Sequence, residues 1–236
     1  MTINTNFNVN PYYDDFDEDK KHLRMLFKPG YAVQARELTQ LQTLLQNQTS
    51  RFGKHVFKNG ARVLDAQLHN DTATYLKLDS SYSGSSISAD NFSNMTIYSN
   101  DGTKRAEVIK AYDADSGTGD PITLMVKQVY GSTFVAGETI KTSDNAFATI
   151  TTSGVGTGTV FSVNEGVWFY DGFFIKNSKQ TVAASKYGTN ANVKVGFEIT
   201  ESISTSSDDT TLLDPALDAS NYQAPGADRF VINLGL

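Results

Sequence analysis

The period of the apolar positions changes twice along the chain. Over residues 1–16 no helical repeat appears: Phe7, Val9, Tyr12, Tyr13 and Phe16 stand among Asn and Asp, and Pro11 biases Asn10 toward extended backbone. This reads as an arm. Chain ends stay disordered unless tied down, so its aromatic side chains need a covering surface, and docking onto a partner chain is expected. Asp17, Glu18 and Asp19 followed by Leu23, Met25, Leu26 and Phe27 predict a short helix over 17–27, stopped by Lys28-Pro29-Gly30.

The second period is helical and runs from Gln34 to Gly53. At 100° per residue, Leu38, Leu41, Leu45 and Phe52 fall within about 60° of one another, flanked by Gln40, Gln42, Gln46, Asn47 and Gln48. Two packings fit this narrow stripe. It is either a coiled-coil seam, with Leu38, Leu45 and Phe52 at one heptad position and Leu41 and Gln48 at the other, or an amphipathic helix lying on its own domain.

From Val56 onward the pattern is β. Asn59-Gly60 marks a turn between Val56-Phe57 and Arg62-Val63-Leu64, and Thr72 to Leu78 alternates as a strand. A Ser-rich loop over 79–95 leads to short strands at Thr96–Tyr98, Ala106–Tyr112, Ile122–Tyr130, Glu138–Ile140, Phe147–Thr151 and Thr159–Val163. Turns carry Asp101-Gly102, Ser116-Gly117-Thr118-Gly119 and Gly154-Val155-Gly156. Asp171-Gly172 joins Val167–Tyr170 to Phe173–Ile175 as a two-residue hairpin. Gln180–Ala184 and Asn192–Ile199 continue the sheet, 200–228 is a polar loop, and Phe230–Leu236 starts a strand whose architecture is expected to continue beyond Leu236.

The predicted fold class is mainly β with one prominent N-terminal helix and sandwich- or barrel-like domains, one of them inserted. The expected parts are an arm and short helix over 1–33, the helix over 34–56, a main β-domain over 57–89 and 160–236, and an inserted small barrel or sandwich over 90–159.

Composition narrows the chemistry. Formal net charge is −6, so no basic field exists for nucleic acid, and no such partner is expected. The acidic run Asp14, Asp15, Asp17, Glu18, Asp19 reads as a solvated segment beside the positive end of a helix. With no Cys, disulfides and thiol chemistry are excluded. Met1 to Tyr13 lacks the layout of a secretory signal, and no stretch approaches the ~18 apolar residues of a membrane span, so no membrane partner is expected. His22, His55 and His69 lack the spacing of a helical metal site; Gly154 to Gly158 lacks the Lys and helix of a phosphate loop, and is expected to be a flexible hairpin. The acidic run lacks the Gly and closing Glu of a calcium loop. Asp208, Asp209 and Asp214 are loop acids rather than a hydrolytic pair, and no Ser lies in a nucleophile elbow. No catalytic residue, metal or cofactor is expected.

The motifs carry a likeness. Asn10-Pro11-Tyr12-Tyr13-Asp14-Asp15-Phe16-Asp17, then Leu26-Phe27-Lys28-Pro29-Gly30, then Gln34-Ala35-Arg36-Glu37-Leu38-Thr39-Gln40-Leu41-Gln42 resemble the N-terminal region of large structural proteins of tailed bacteriophages, notably those of cyanobacteria and marine bacteria. Gly166 to Phe174 and Ala224 to Phe230 are similar to later motifs of the same family. The shared domain has no known function, and the proteins carrying it are baseplate, tail-fibre or other virion components. The resemblance implies a virion location, with assembly in the host cytoplasm, and supplies no catalytic residues. The reading is a homotrimeric tail or baseplate anchor, with Leu38, Leu41, Leu45, Gln48 and Phe52 at the trimer interface and Phe7, Val9, Tyr12, Tyr13 and Phe16 docking on other tail or baseplate proteins. Host surface glycan would be met through a distal part. The alternative is a carbohydrate-binding receptor module using Trp168, Tyr170, Tyr112 and Tyr130 as stacking platforms.

Overall fold

The computed structural model describes residues 4–236; the first three positions of the expected arm lie outside the described residues. The chain is mainly β, 41% strand against 13% helix. In chain order the elements are α1 (Ala35–Val56), β1 (Ala61–Asp65), β2 (Leu68–Leu78), β3 (Ser81–Tyr82), β4 (Ser85–Ser86), β5 (Thr96–Ser99), β6 (Arg105–Tyr112) and β7 (Thr123–Tyr130), followed by β8 (Thr139–Thr142), β9 (Phe147–Val163), β10 (Gly166–Tyr170), β11 (Phe173–Asn177), β12 (Gln180–Ser185), β13 (Glu198–Ser204) and β14 (Arg229–Gly235). Two compact units form among the described residues, one of the chain up to Ala66 with Glu165–Ser178 and Phe197–Gly235, the other of Gln67–Asn164 with Lys179–Gly196 and Leu236.

In the second unit, hydrogen-bonded neighbours run β12-β9-β2-β7-β6-β5-β8, and β8 pairs again with the start of β9. The pairings of six strands thus form a ring. Leu76, Ile97, Val108, Leu124, Ile140 and Ile150, one from each of those strands, are buried in one shared core with Phe92 and Phe134. Each such side chain contributes about 1.5–3 kcal/mol relative to exposure.

The ring depends on β9, which pairs with β8 through Phe147–Thr149 and with β2 through Val155–Val163. Its middle is Gly154-Val155-Gly156-Thr157-Gly158, inside a single 17-residue strand, which corrects the flexible hairpin expected there. The glycines serve close packing. A Cβ on Gly156 would lie 2.5 Å from the Tyr75 hydroxyl oxygen, and one on Gly158 would lie 2.4 Å from the Lys186 carbonyl oxygen. The second unit starts at Gln67, not near residue 90, because β2 sits between β7 and β9; it also takes in β12, which pairs with β9.

In the first unit a three-stranded sheet runs β1-β10-β11, and β13 pairs with β14 as a ribbon from Glu198↔Gly235 to Ser204↔Arg229. β10 and β11 form the expected hairpin, with Asp171 (φ 47) and Gly172 (φ 94) both in the left-handed region that a two-residue primed turn requires. Three expectations fail. Only Glu18–Lys20 of the predicted 17–27 helix is helical, as one 3-10 turn. Leu23 (75% exposed) and Leu26 (78%) find nothing to pack on, and a short helix without a packed face is unstable. Asn59-Gly60 turns the chain from α1, not from a strand, into β1. The strand expected from Asn192 begins only at Glu198, and β13 takes the first residues of the expected polar loop.

Candidate assembly interface

α1 is written in strong helix formers and opens with the Gln34 N–H donating to the Glu37 carboxylate at 2.9 Å. It closes with the Phe57 N–H donating to the Gly53 carbonyl at 2.7 Å. Its buried residues are Leu44, Asn47, Ser50 and Gly53, spaced by three. That face is small and polar rather than leucine-rich, for a steric reason. A Cβ on Gly53 would lie 2.4 Å from the Phe169 ring, and one on Gly172 would lie 2.4 Å from the Ser50 Cβ. The β10–β11 hairpin therefore comes against the helix backbone only because these positions carry almost no side chain. Polar bonds fix the contact: Gln46 Nε2 donates to the Gly172 carbonyl at 2.6 Å, and Lys54 Nζ lies 2.5 Å from the buried Asp171 carboxylate. Phe57, Phe169 and Phe174 pack with ring centroids 5.4–5.8 Å apart beneath.

The acidic run binds a second flank of the helix. Asp14 is buried and accepts from the Thr43 hydroxyl. Asp15 accepts from Gln40 at 3.0 Å, and Glu18 accepts from Asn47 at 3.3 Å and pairs with Arg51. These acids lie along α1 and satisfy its polar side chains, where a solvated stretch at the helix's positive end was expected.

What remains open is the opposite side. Leu38 (51% exposed), Leu45 (63%), Phe52 (69%) and Val56 (56%) fall within about 40° on the helix wheel, with Leu41 half-buried and Gln48 exposed beside them. The helix does lie on its own unit, as one of the two expected packings had it, yet it does so through its small face and leaves the leucine stripe in solvent.

The arm is held by its own chain. Phe7 meets Phe230 edge-on at 5.0 Å, and Tyr12 donates to Asp228 at 2.6 Å, which raises the Tyr12 hydroxyl above its ordinary pKa. Glu201 accepts from the Asn4 and Thr5 N–H groups and from the Thr5 hydroxyl. Burial pushes that carboxyl up, but these hydrogen bonds outweigh it and hold Glu201 below the usual value. Phe7 and Tyr12, expected to dock on a neighbour, thus find their partners on and beside the β13–β14 ribbon, because Phe230 and Asp228 offer the same aromatic and acceptor contacts without a second chain. Val9 and Tyr13 stay exposed, and Phe16 is half-buried. A crevice of about 780 Å³ opens beside Tyr12, between Phe7, Gln46, Phe173 and Phe230.

Asp208 and Asp209 accept hydrogen bonds from Thr205 and Thr211, and Asp214 from the Ala216 N–H, so all three brace their own loop. Trp168 donates to Asn177 and packs on Phe197; the Tyr112 hydroxyl accepts from the Ala183 N–H; only Tyr130, at 65%, is broadly exposed among the aromatics proposed for sugars. His69 faces Asn164 at 3.3 Å, and His22 and His55 are exposed. Among the described residues no three His, Cys, Asp or Glu are placed to share a metal, and no helix is long and apolar enough to cross a membrane.

The open stripe and the arm's second half lie in the part of the chain that is similar to other sequences. Residues 10–84 match the model of a domain of unknown function (DUF4815). No curated protein matches the chain, and no solved structure matches it. The similarity therefore covers α1, β1, β2, β3 and the segment leading into them.

Proposed function

We propose that the chain is a non-enzymatic structural component of a bacteriophage virion, a homotrimeric anchor that attaches a fibre or baseplate part to the tail. The observation that carries the reading is the α1 stripe: four large apolar side chains, aligned along about five turns of a well-capped helix and more than half exposed. Exposed apolar stripes of this kind mark protein contacts. Three copies of α1 packed stripe to stripe bury Leu38, Leu45 and Phe52, each worth about 1.5–3 kcal/mol, while Gln48 fixes the register as polar seam positions do. The likeness of residues 10–42 to phage structural proteins supplies the virion context.

In this reading the ring of six strand pairings is a small closed β-barrel that serves as a rigid body, and Val9, Tyr13 and Phe16 are the arm residues offered to other tail or baseplate proteins. The receptor-module reading is weaker, since Trp168 and Tyr112 are engaged within the chain. Assembly in particles tests the proposal. Virions made with Leu45→Glu are expected to lack the protein when purified particles are analysed by mass spectrometry. Incorporation at the normal level would reject the anchor role of the stripe.

A further inference from the structure

Between the acidic run and α1 lies a segment, residues 21–34, with no helix or strand, here termed the strap. Leu23, Leu26 and Tyr31 are 75–78% exposed and Phe27 and Val33 about half. The strap is far longer than its path needs. Glu18 is bonded to Arg51 near the end of α1, and the chain must return to Ala35 at its start, a separation of about 24 Å at the helical rise. Extended, residues 19–34 reach about 55 Å. The slack is enough for the strap to leave its own helix, and Leu38, Leu45, Phe52 and Val56, each more than half exposed, show that it leaves the stripe largely open there.

We propose that the strap of one copy closes over the flank of the stripe on a neighbouring copy, so that the occupant of this surface is a second copy of this chain. The inference rests on the trimer reading and specifies how its seam is sealed. Among the described residues, nine of the 21 exposed large apolar side chains fall between Leu23 and Val56. Together they present on the order of 1,000 Å², more than the ~800 Å² each partner gives to a standard interface. The chemistry of the two surfaces is compatible. Lys21, Arg24 and Lys28 make the strap basic and form no ion pair among the described residues. The open face of α1, including Gln42, Gln48 and Thr49, carries no charge to repel them. Lys and Arg stems add apolar cover while their heads stay in water.

The absence of cysteine makes the test direct. Copies carrying Leu26→Cys are mixed with differently tagged copies carrying Gln42→Cys or Gln48→Cys, which border the stripe on its two sides, and disulfide formation is read by mass. A mixed inter-chain disulfide at one border is expected. Leu26→Ser with Tyr31→Ser is expected to raise the concentration at which the wild-type oligomer dissociates by at least tenfold. Both substituted positions are exposed, so folding is not at stake. If Leu45→Glu abolishes the oligomer while the strap variant leaves dissociation unchanged and no mixed disulfide forms, the strap contact is overturned and the stripe reading stands. If Leu45→Glu also leaves mass unchanged, both fail. Retained mass combined with strap-dependent binding to anionic phospholipid vesicles would likewise overturn the contact and assign the strap to an anionic surface.

Discussion

The two units are nearly equal in length and opposite in how they use apolar side chains. The second buries Leu76, Phe92, Ile97, Leu124, Phe134 and their neighbours in one continuous core and leaves six large apolar side chains exposed. Among its described residues, the first buries only Leu44, Ala66, Phe169 and Ile175 of the apolar ones, yet exposes fifteen large ones. A core that size does not hold a unit of this length by burial alone, and hydrogen bonds, the Lys54–Asp171 pair and arm contacts supplement it. The contrast teaches that apolar content alone does not locate a core. In one unit it has been folded inward, and in the other it is held outward on a helix that is itself firmly anchored.

Substitutions should separate the units sharply. Leu76→Ala is expected to destabilise the second unit by about 2–5 kcal/mol in denaturant titration, through lost burial and the cavity left behind. Leu45→Ala, equally large to small, should change the stability of the single chain by less than about 0.5 kcal/mol, since the side chain is already in water. A large monomer effect at Leu45 would break the comparison. Gly53→Ala is expected to destabilise the first unit by about 1–3 kcal/mol, because its Cβ enters the Phe169 ring and forces the hairpin off the helix. Loss of Phe169 protection by proton exchange in the neighbouring backbone, with the second unit unchanged, would be the signature.

The smallest expected effect is on pH. Glu201 is held below its ordinary value, so its contribution is complete above the unfolded carboxyl value and fades as pH falls through the lowered folded one. Amide exchange at Thr5, whose N–H it accepts at 2.9 Å, should therefore quicken below about pH 4 relative to the second unit. Glu201→Gln should remove that pH dependence; an unchanged exchange profile in the variant would show that the arm is held by Phe7 and Tyr12 alone.

Much of the second unit was legible because local signals and packing agree there. β5 to β8 alternate with turn residues between them. In the first unit, Asp171-Gly172 names the β10–β11 hairpin outright. The candidate interface was legible in part. The period of Leu38, Leu45 and Phe52 is in the sequence, but whether the stripe faces inward is not, because that depends on Phe169 arriving at Gly53 from more than a hundred positions away. Asn47, Ser50 and Gly53 at three-residue spacing were the available sign of a close-packed face. β9 was hidden because glycines that usually break a strand here make room for Tyr75 and for the chain at Lys186. The arm's anchoring was hidden too, since Glu201, Asp228 and Phe230 carry no local mark of their partners.

The central claim is that the α1 stripe is open in one copy and closed by others. Sedimentation equilibrium of the purified chain across a wide concentration range, beside Leu45→Glu, tests it most directly. The account predicts a mass three times that of the 25.8 kDa chain for the wild type and a single-chain mass for the variant. A single-chain mass for the wild type at every concentration would contradict it.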